Sequence, residues 1–404
     1  MSDAARVDAA RVRRVLLVFA VCAFASGFGL RTIDPLILPV GAQFAVSPAA
    51  AAGLSTAYAL PYALAQPFLG PLGDRYGKLR CIQVCVSGMA LSLVAGALAP
   101  NFAALLASRV VAGIFAGGLI PLVLAGLGDA FDILERQVAI GRMLLAIITG
   151  QMLGSTVSGL ASDAFGWRSA LWIAAGPALA ATALAWWPQR RVPAVGAAAA
   201  AGAARQGMAA LYAQVFRNPK APWLYGAVVV EGALIFGAFP FVGQMLVERH
   251  AAPAAEVAAR AGLVLGAFGV GGLVYAAMVR RILGALGVRR MCLVGSATAA
   301  AMYLLLGLSP WWGLHALAMG VAGLAYYMLH NSLQTEATEI APVARGSAVA
   351  LFACGFFAGQ GLGPLLFGAL AAKWGYLAAL LAMAAGLVLL GQLVVRRVTT
   401  RPRA

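Results

Sequence analysis

Gly150-Gln151-Met152-Leu153-Gly154 returns 209 residues later as Gly359-Gln360-Gly361-Leu362-Gly363. The register continues without a gap on both sides. Arg136 meets Arg345, Ala139 meets Ala348, Gly159 meets Gly368, Gly166 meets Gly375, and Ala170-Leu171 meets Ala379-Leu380. Self-similarity at a fixed offset that runs through a helix and the following turn marks a duplicated unit. The offset is about half of the 404 residues, so it predicts two halves of one architecture.

Working outward, each copy lies in an apolar run long enough to cross a bilayer, which takes about 20 helical residues. Such runs occupy approximately 15–41, 50–72, 80–99, 103–128, 138–161, 168–187, 223–246, 258–280, 290–308, 312–334, 346–371 and 376–395. They do not alternate as the strands of a membrane barrel do. The expected fold is therefore an all-α polytopic membrane protein, with twelve spans in two pseudo-symmetric six-helix bundles. The bundles are assigned to residues 1–187 and 223–404, joined by a cytoplasmic linker over 188–222 that contains the Ala/Gly-rich stretch Gly196–Ala204 and then a short interfacial helix.

Orientation follows from the basic residues. With the N-terminus inside, 22 of the 29 Lys and Arg fall on the cytoplasmic side. Only Arg168, Arg249, Arg260 and Lys373 fall on the other, while Arg31, Arg109 and Arg142 fall within spans. The bias predicts both termini in the cytoplasm of a bacterial cell and the chain in its inner membrane. Arg11, Arg13 and Arg14 before the run Val15–Cys22 imitate a secretion signal. The run continues almost to Val40, so it reads as an uncleaved first span.

Composition excludes other classes. The chain is 62% hydrophobic and 10% charged, against roughly 25% charged in soluble domains. Its net charge of +16 lies in short clusters between apolar runs, a topological pattern that implies no nucleic-acid partner. The five cysteines and three histidines show no metal-ligand spacing, so neither metal nor cofactor is expected. An enzyme would need a catalytic constellation that 13 scattered acids do not supply.

Between the second and third spans stands Gly70-Pro71-Leu72-Gly73-Asp74-Arg75-Tyr76-Gly77-Lys78-Leu79-Arg80. It resembles, at every defined position, the signature loop G-x-L-x-D-R-x-G-R/K-x-R/K of the major facilitator superfamily. Arg109 and Gly113 resemble that family's R-x-x-x-G motif in the fourth span. The resemblance implies a secondary transporter that works by alternating access. It also implies a conformational latch formed by Gly73, Asp74, Arg75, Gly77, Lys78 and Arg80. Within the family, Ile33-Asp34-Pro35-Leu36-Ile37-Leu38-Pro39 and Phe165-Gly166-Trp167-Arg168 look like the twelve-helix drug:proton antiporters and sugar exporters. One departure stands out. The antiporter Gly-Pro of the fifth span is Gly154-Ser155 here, and Gly363-Pro364 occupies the eleventh span instead.

Charges inside a bilayer cost a few kcal/mol or more and mark function or pairing. Arg31 and Asp34, three apart, form either an internal ion pair or a proton- or substrate-binding acid with its electrostatic partner. Arg31 alternatively contacts an anionic substrate group. Glu231, within the seventh span, is either a proton carrier or a neutral acid hydrogen-bonded between helices. Arg109 serves coupling or tethers backbone carbonyls, and Arg142 snorkels to the interface. Tyr58, Tyr62, Gln151, Phe239, Phe241, Gln244, Tyr327, Asn331 and Gln360 are expected to line the cavity, and His330 either joins them or packs. The expected activity is proton-coupled efflux of a small organic molecule (a drug, sugar or secreted metabolite such as a siderophore) by a monomer, with uptake symport as the alternative.

Overall fold

The computed structural model describes residues 3–130, 133–187, 208–341 and 344–399, and the regular structure among them is helical. In chain order the helices are α1 (Asp3–Arg31), α2 (Ile37–Phe44), α3 (Pro48–Tyr76), α4 (Lys78–Ala97) and α5 (Phe102–Ala130). There follow α6 (Ile133–Phe165), α7 (Trp167–Trp186), the short α8 (Met208–Phe216), α9 (Ala221–Phe236) and α10 (Val242–Glu248). The last three are α11 (Val257–Leu308), α12 (Trp312–Glu339) and α13 (Arg345–Arg397). Among the described residues, nine helical stretches are long and apolar enough to cross a membrane. Two of them, 55 and 52 residues long, are doubled back at one glycine each, Gly287 with φ 66° and Gly375 with φ 82°. With α3 added, the arrangement is compatible with twelve crossings. The outer surface is apolar, with Leu64, Leu91 and Leu389 each about two-thirds exposed, as suits a lipid-facing wall.

The turns between paired helices are shorter than the sequence suggests. The signature segment is expected as a loop, yet α3 runs helical to Tyr76 and α4 resumes at Lys78. Gly77 alone makes the turn, with φ 91°, a backbone conformation that residues with a Cβ rarely adopt. Gly287 repeats that device 210 residues later, and Gly375 repeats Gly166 at 209. The first and seventh spans depart from expectation in another way. Neither is one continuous helix, because Pro35 and Pro240 each remove a backbone donor and clash with the preceding turn. Each proline sits in a one-turn 3-10 segment, Asp34–Leu36 or Phe239–Phe241, and these are 205 residues apart. The second copy therefore reproduces the breaks of the first as well as its helices.

Close helix contacts repeat too. Gly150 and Gly154 of α6 press on the Phe24 and Phe28 carbonyls of α1. Their counterparts Gly359 and Gly363 press on the Val229 and Ala233 carbonyls of α9. Gly113 sits against the Tyr58 carbonyl, and 210 residues on Gly323 sits against that of Phe268. In a membrane, where apolar surface gains little by leaving lipid, such close approach of backbones supplies the association energy.

Buried side chains form two large clusters. One draws on residues from Val18 to Ala185, the other on Ala52 and residues from Val215 to Val398. Contacts between the two halves gather at the end that carries the turns at 98–101, Gly166 and 309–311, here termed the distal end. There Thr56 donates to the Gly361 carbonyl at 2.8 Å, and Thr156 to that of Gly262 at 3.3 Å. The Asp163 carboxylate accepts from the Ala259 backbone N–H at 2.7 Å. One half thus caps a helix of the other, because α11 begins at Val257 and its first amides have no partner within the helix. Asp163→Ala should cost this closure about 1 kcal/mol, the usual value of an N-cap, and so raise the distally open population several-fold. Electron-spin distances between labels at Asn101 and Lys373 measure it. An unaltered distance distribution would show that the cap does not hold the end shut.

Candidate functional site

The broken part of the first span builds the centre of the site. Where α1 ends, Pro35 turns the chain and keeps Arg31 and Asp34 together, with Nη1 and Oδ2 3.4 Å apart. Both side chains are buried. Asp34 is held more tightly by Ser55 of α3, whose hydroxyl donates to Oδ1 at 2.6 Å. Arg31 reaches across to the other half, its Nη2 donating to Gln360 Oε1 of α13 at 2.6 Å. The guanidinium lies 4.2 Å from the Phe236 ring centre and 5.0 Å from that of Phe239, within the range of cation–π attraction. Beside it is a narrow void of about 10 Å3, bordered by Arg31, Gln151, Ser155, Phe239, Phe268 and Tyr327 among others. That is room for about one water, so an organic ligand enters only when the halves part.

Arg109 of α5 is also buried, with its guanidinium 4.3 Å from the Tyr58 ring centre. Its Nη1 donates to the Gly29 carbonyl of α1 at 3.2 Å, while Nε and Nη2 have no partner among the described residues. One tie to a backbone carbonyl is thus present, with donor capacity left over. Asp34 feels the positive charge of Arg109 as well as that of Arg31.

The second acid centre lies wholly in the other half. Glu231 of α9 is fully buried, and its Oε2 lies 2.9 Å from His330 Nδ1 of α12. Its Oε1 has no partner among the described residues. The imidazole is packed between Tyr326, Phe352 and Phe356, at ring separations of 5.0, 5.3 and 4.6 Å. Tyr326 lies within electrostatic reach of both Glu231 and Arg31, so it stands between the two centres. Sequence reasoning missed this pair. Both partners are scarce residue types inside spans, which is the one signal that could have joined them. Ser55 and Phe236 were missed as well, since neither carries a charge or a motif.

The other expected cavity residues divide. Gln151, Phe239 and Tyr327 border the void, and Gln360 reaches Arg31 beside it. Asn331 donates to the Tyr275 hydroxyl at 2.9 Å, and Gln244 is half-buried on α10. Tyr58, Tyr62 and Phe241 do not line this void. Gly113 and Gly117 draw α3 so close to α5 that Tyr58 and Tyr62 are closed in, with Tyr62 also covered by Phe357 at 4.1 Å. Phe241 lies beyond the Pro240 break and packs on Phe367 at 5.1 Å. In the signature segment, Gly73 backs onto Leu122, Arg75 lies 5.3 Å from the Tyr76 ring centre, Lys78 is half-buried and Arg80 exposed. The Asp74 side chain lies outside the described residues, as do positions 188–207 of the linker.

Comparison with known proteins gives the context for this geometry. A family model described as Major Facilitator Superfamily matches residues 19–286 and 239–404. YceJ of Bacillus subtilis, described as an uncharacterized MFS-type transporter, is 25% identical over 363 residues, which is 88% of this chain and 89% of that one. A triacylglyceride transporter of Mycolicibacterium hassiacum is 38% identical over 99 residues, 24% of this chain and 18% of that protein. The solved structure of the nucleoside transporter NupG has a TM-score of 0.76 at 15% identity, over 97% of this chain and 100% of that one. The last is a likeness of fold.

Proposed function

This chain belongs to the major facilitator superfamily, and from that premise we propose that the multi-pass transporter is a proton-coupled exporter of a small organic molecule, of the drug:proton antiporter and sugar-efflux kind. The observation that carries the reading is the placement of Asp34. It is a buried acid beside Arg31, which itself bonds Gln360 in the other half. A proton gained or lost at Asp34 changes the charge balance at a contact that must be remade when the halves move. A ligand or proton shifts such an equilibrium only by binding the two arrangements differently.

Several further features belong to the proposal. The chain works as a monomer of two bundles, 1–187 and 223–404, with both termini on the cytoplasmic face of a bacterial inner membrane. The distal end is then periplasmic, and its closure describes a transporter facing inward. Substrate enters from the cytoplasm. After the halves rock, protons from outside neutralise Asp34 or Glu231 and favour its release. Arg109 tunes Asp34, and the Asp74 segment latches the opposite, outward-open arrangement.

Everted membrane vesicles test the direction. With an acid interior, adding a transported drug, sugar or metabolite should release protons, read as recovery of a quenched pH-sensitive dye. Asp34→Asn should abolish that recovery. Gradient-driven accumulation in right-side-out vesicles instead would establish uptake symport and overturn export.

A further inference from the structure

We infer that the Arg31 centre is a binding site for an organic monoanion, a carboxylate on an apolar body, and that the ligand takes the place now held by Gln360 Oε1. The inference rests on the transporter reading above and names its substrate class.

Three observations carry it. First, the buried charges around Asp34 do not balance, since its single carboxylate faces both Arg31 and Arg109. An uncompensated buried cation is costly, and an incoming anion relieves that cost. Second, Arg31 is underused. Charge-assisted N–H···O bonds are about 2.7–2.9 Å long, but the Asp34 contact is 3.4 Å, and Asp34 is drawn instead to Ser55 at 2.6 Å. The closest acceptor of Arg31 is a neutral amide oxygen, Gln360 Oε1, at 2.6 Å. A carboxylate oxygen at that position makes a stronger bond with the same guanidinium N–H. Third, the surroundings select the rest of the molecule. Phe236 and Phe239 lie against the guanidinium, while Ile148, Met152, Leu265 and Phe268 border the void with apolar surface. A small inorganic anion leaves that surface unused, and a cationic drug meets the Arg31 guanidinium.

Displacement of Gln360 has a second consequence. The Arg31–Gln360 bond joins the two halves, so an anion that competes for Arg31 loosens a cross-link at the moment the site fills. Occupancy and opening are coupled through one hydrogen bond.

The test uses three probes with one body and three head groups: 4-phenylbutyrate, 4-phenylbutyramide and 4-phenylbutylamine. Each is titrated calorimetrically into the full chain in lipid nanodiscs at neutral pH. The carboxylate should bind about tenfold or more tighter than the amide or the amine, as expected for one charge-assisted contact. Gln360→Glu places a carboxylate against Arg31 within the protein and should weaken phenylbutyrate binding by a similar factor. Arg31→Gln should remove the preference, and the glutamate variant keeps the test decisive if that protein does not fold. Preference for the amine, equal binding of all three, no binding of the carboxylate, or an unaffected Gln360→Glu protein would each overturn the inference. Proton-coupled flux in vesicles is read separately, so a protein that transports without carboxylate preference refutes the substrate class alone.

Discussion

Vesicles carrying Glu231→Gln are expected to lose proton-driven transport by about two orders of magnitude, the lower range for removing a proton-transferring side chain. The protein should still fold. Glutamine has the same shape and keeps a hydrogen bond to His330, whose Nδ1 lies 2.9 Å from the present Oε2. What it lacks is a site for the proton. The histidine side of the pair predicts an effect on stability. His330→Phe suits the aromatic surroundings of Tyr326, Phe352 and Phe356, yet it leaves a fully buried carboxyl with neither oxygen bonded. That should cost about 1–3 kcal/mol if the acid is neutral, and about 3–5 kcal/mol if the pair is ionic. Adding Glu231→Leu removes the orphaned group and should recover most of the loss, so the double-mutant cycle isolates the coupling. Thermal unfolding of the four proteins reads it. Additive losses would mean that the two residues do not act as a pair, and wild-type transport by Glu231→Gln would remove Glu231 from the coupling pathway.

The second large effect is expected at Gly113 and Gly323. A Cβ at either would overlap a backbone carbonyl of the neighbouring helix, that of Tyr58 or of Phe268. Backbone cannot rotate away as a side chain can. The helices must separate, and overpacking of this kind costs about 1–3 kcal/mol. Gly53 and Gly226 lie in the same helix pairs' halves with nothing within 4 Å of the added atom. There, alanine should be neutral or stabilise by about 0.5–1 kcal/mol through helix propensity. All four Gly→Ala proteins can be compared by denaturation in nanodiscs. If Gly113→Ala and Gly323→Ala resembled the two controls, backbone contact would not be what clamps these helices.

That paired prediction also marks how far the sequence could be read. The offset between Gly150 and Gly359 was visible in the letters, and so were the apolar runs and the scarcity of acids. The matching contacts at Gly113 and Gly323 were not, although they repeat at nearly the same interval. Their meaning depends on which face of each helix turns toward which neighbour. The breaks at Pro35 and Pro240 were legible as residues but were read through as helix, because a proline is tolerated in a membrane span when neighbouring groups satisfy the freed backbone.

What the sequence determined by itself is the membrane-spanning, duplicated, helical character of this transporter. Lipid requires each crossing to bond its own backbone within about 20 consecutive apolar residues, so every span announces itself locally. Only the tertiary structure decided that Glu231 meets His330, that Asp34 bonds Ser55 as well as pairing with Arg31, that Arg31 also reaches Gln360, and that Tyr62 packs against Phe357. Those contacts join residues 99, 21, 329 and 295 positions apart. They are set by the rotation and close approach of whole helices, for which no local stretch of sequence carries a signal.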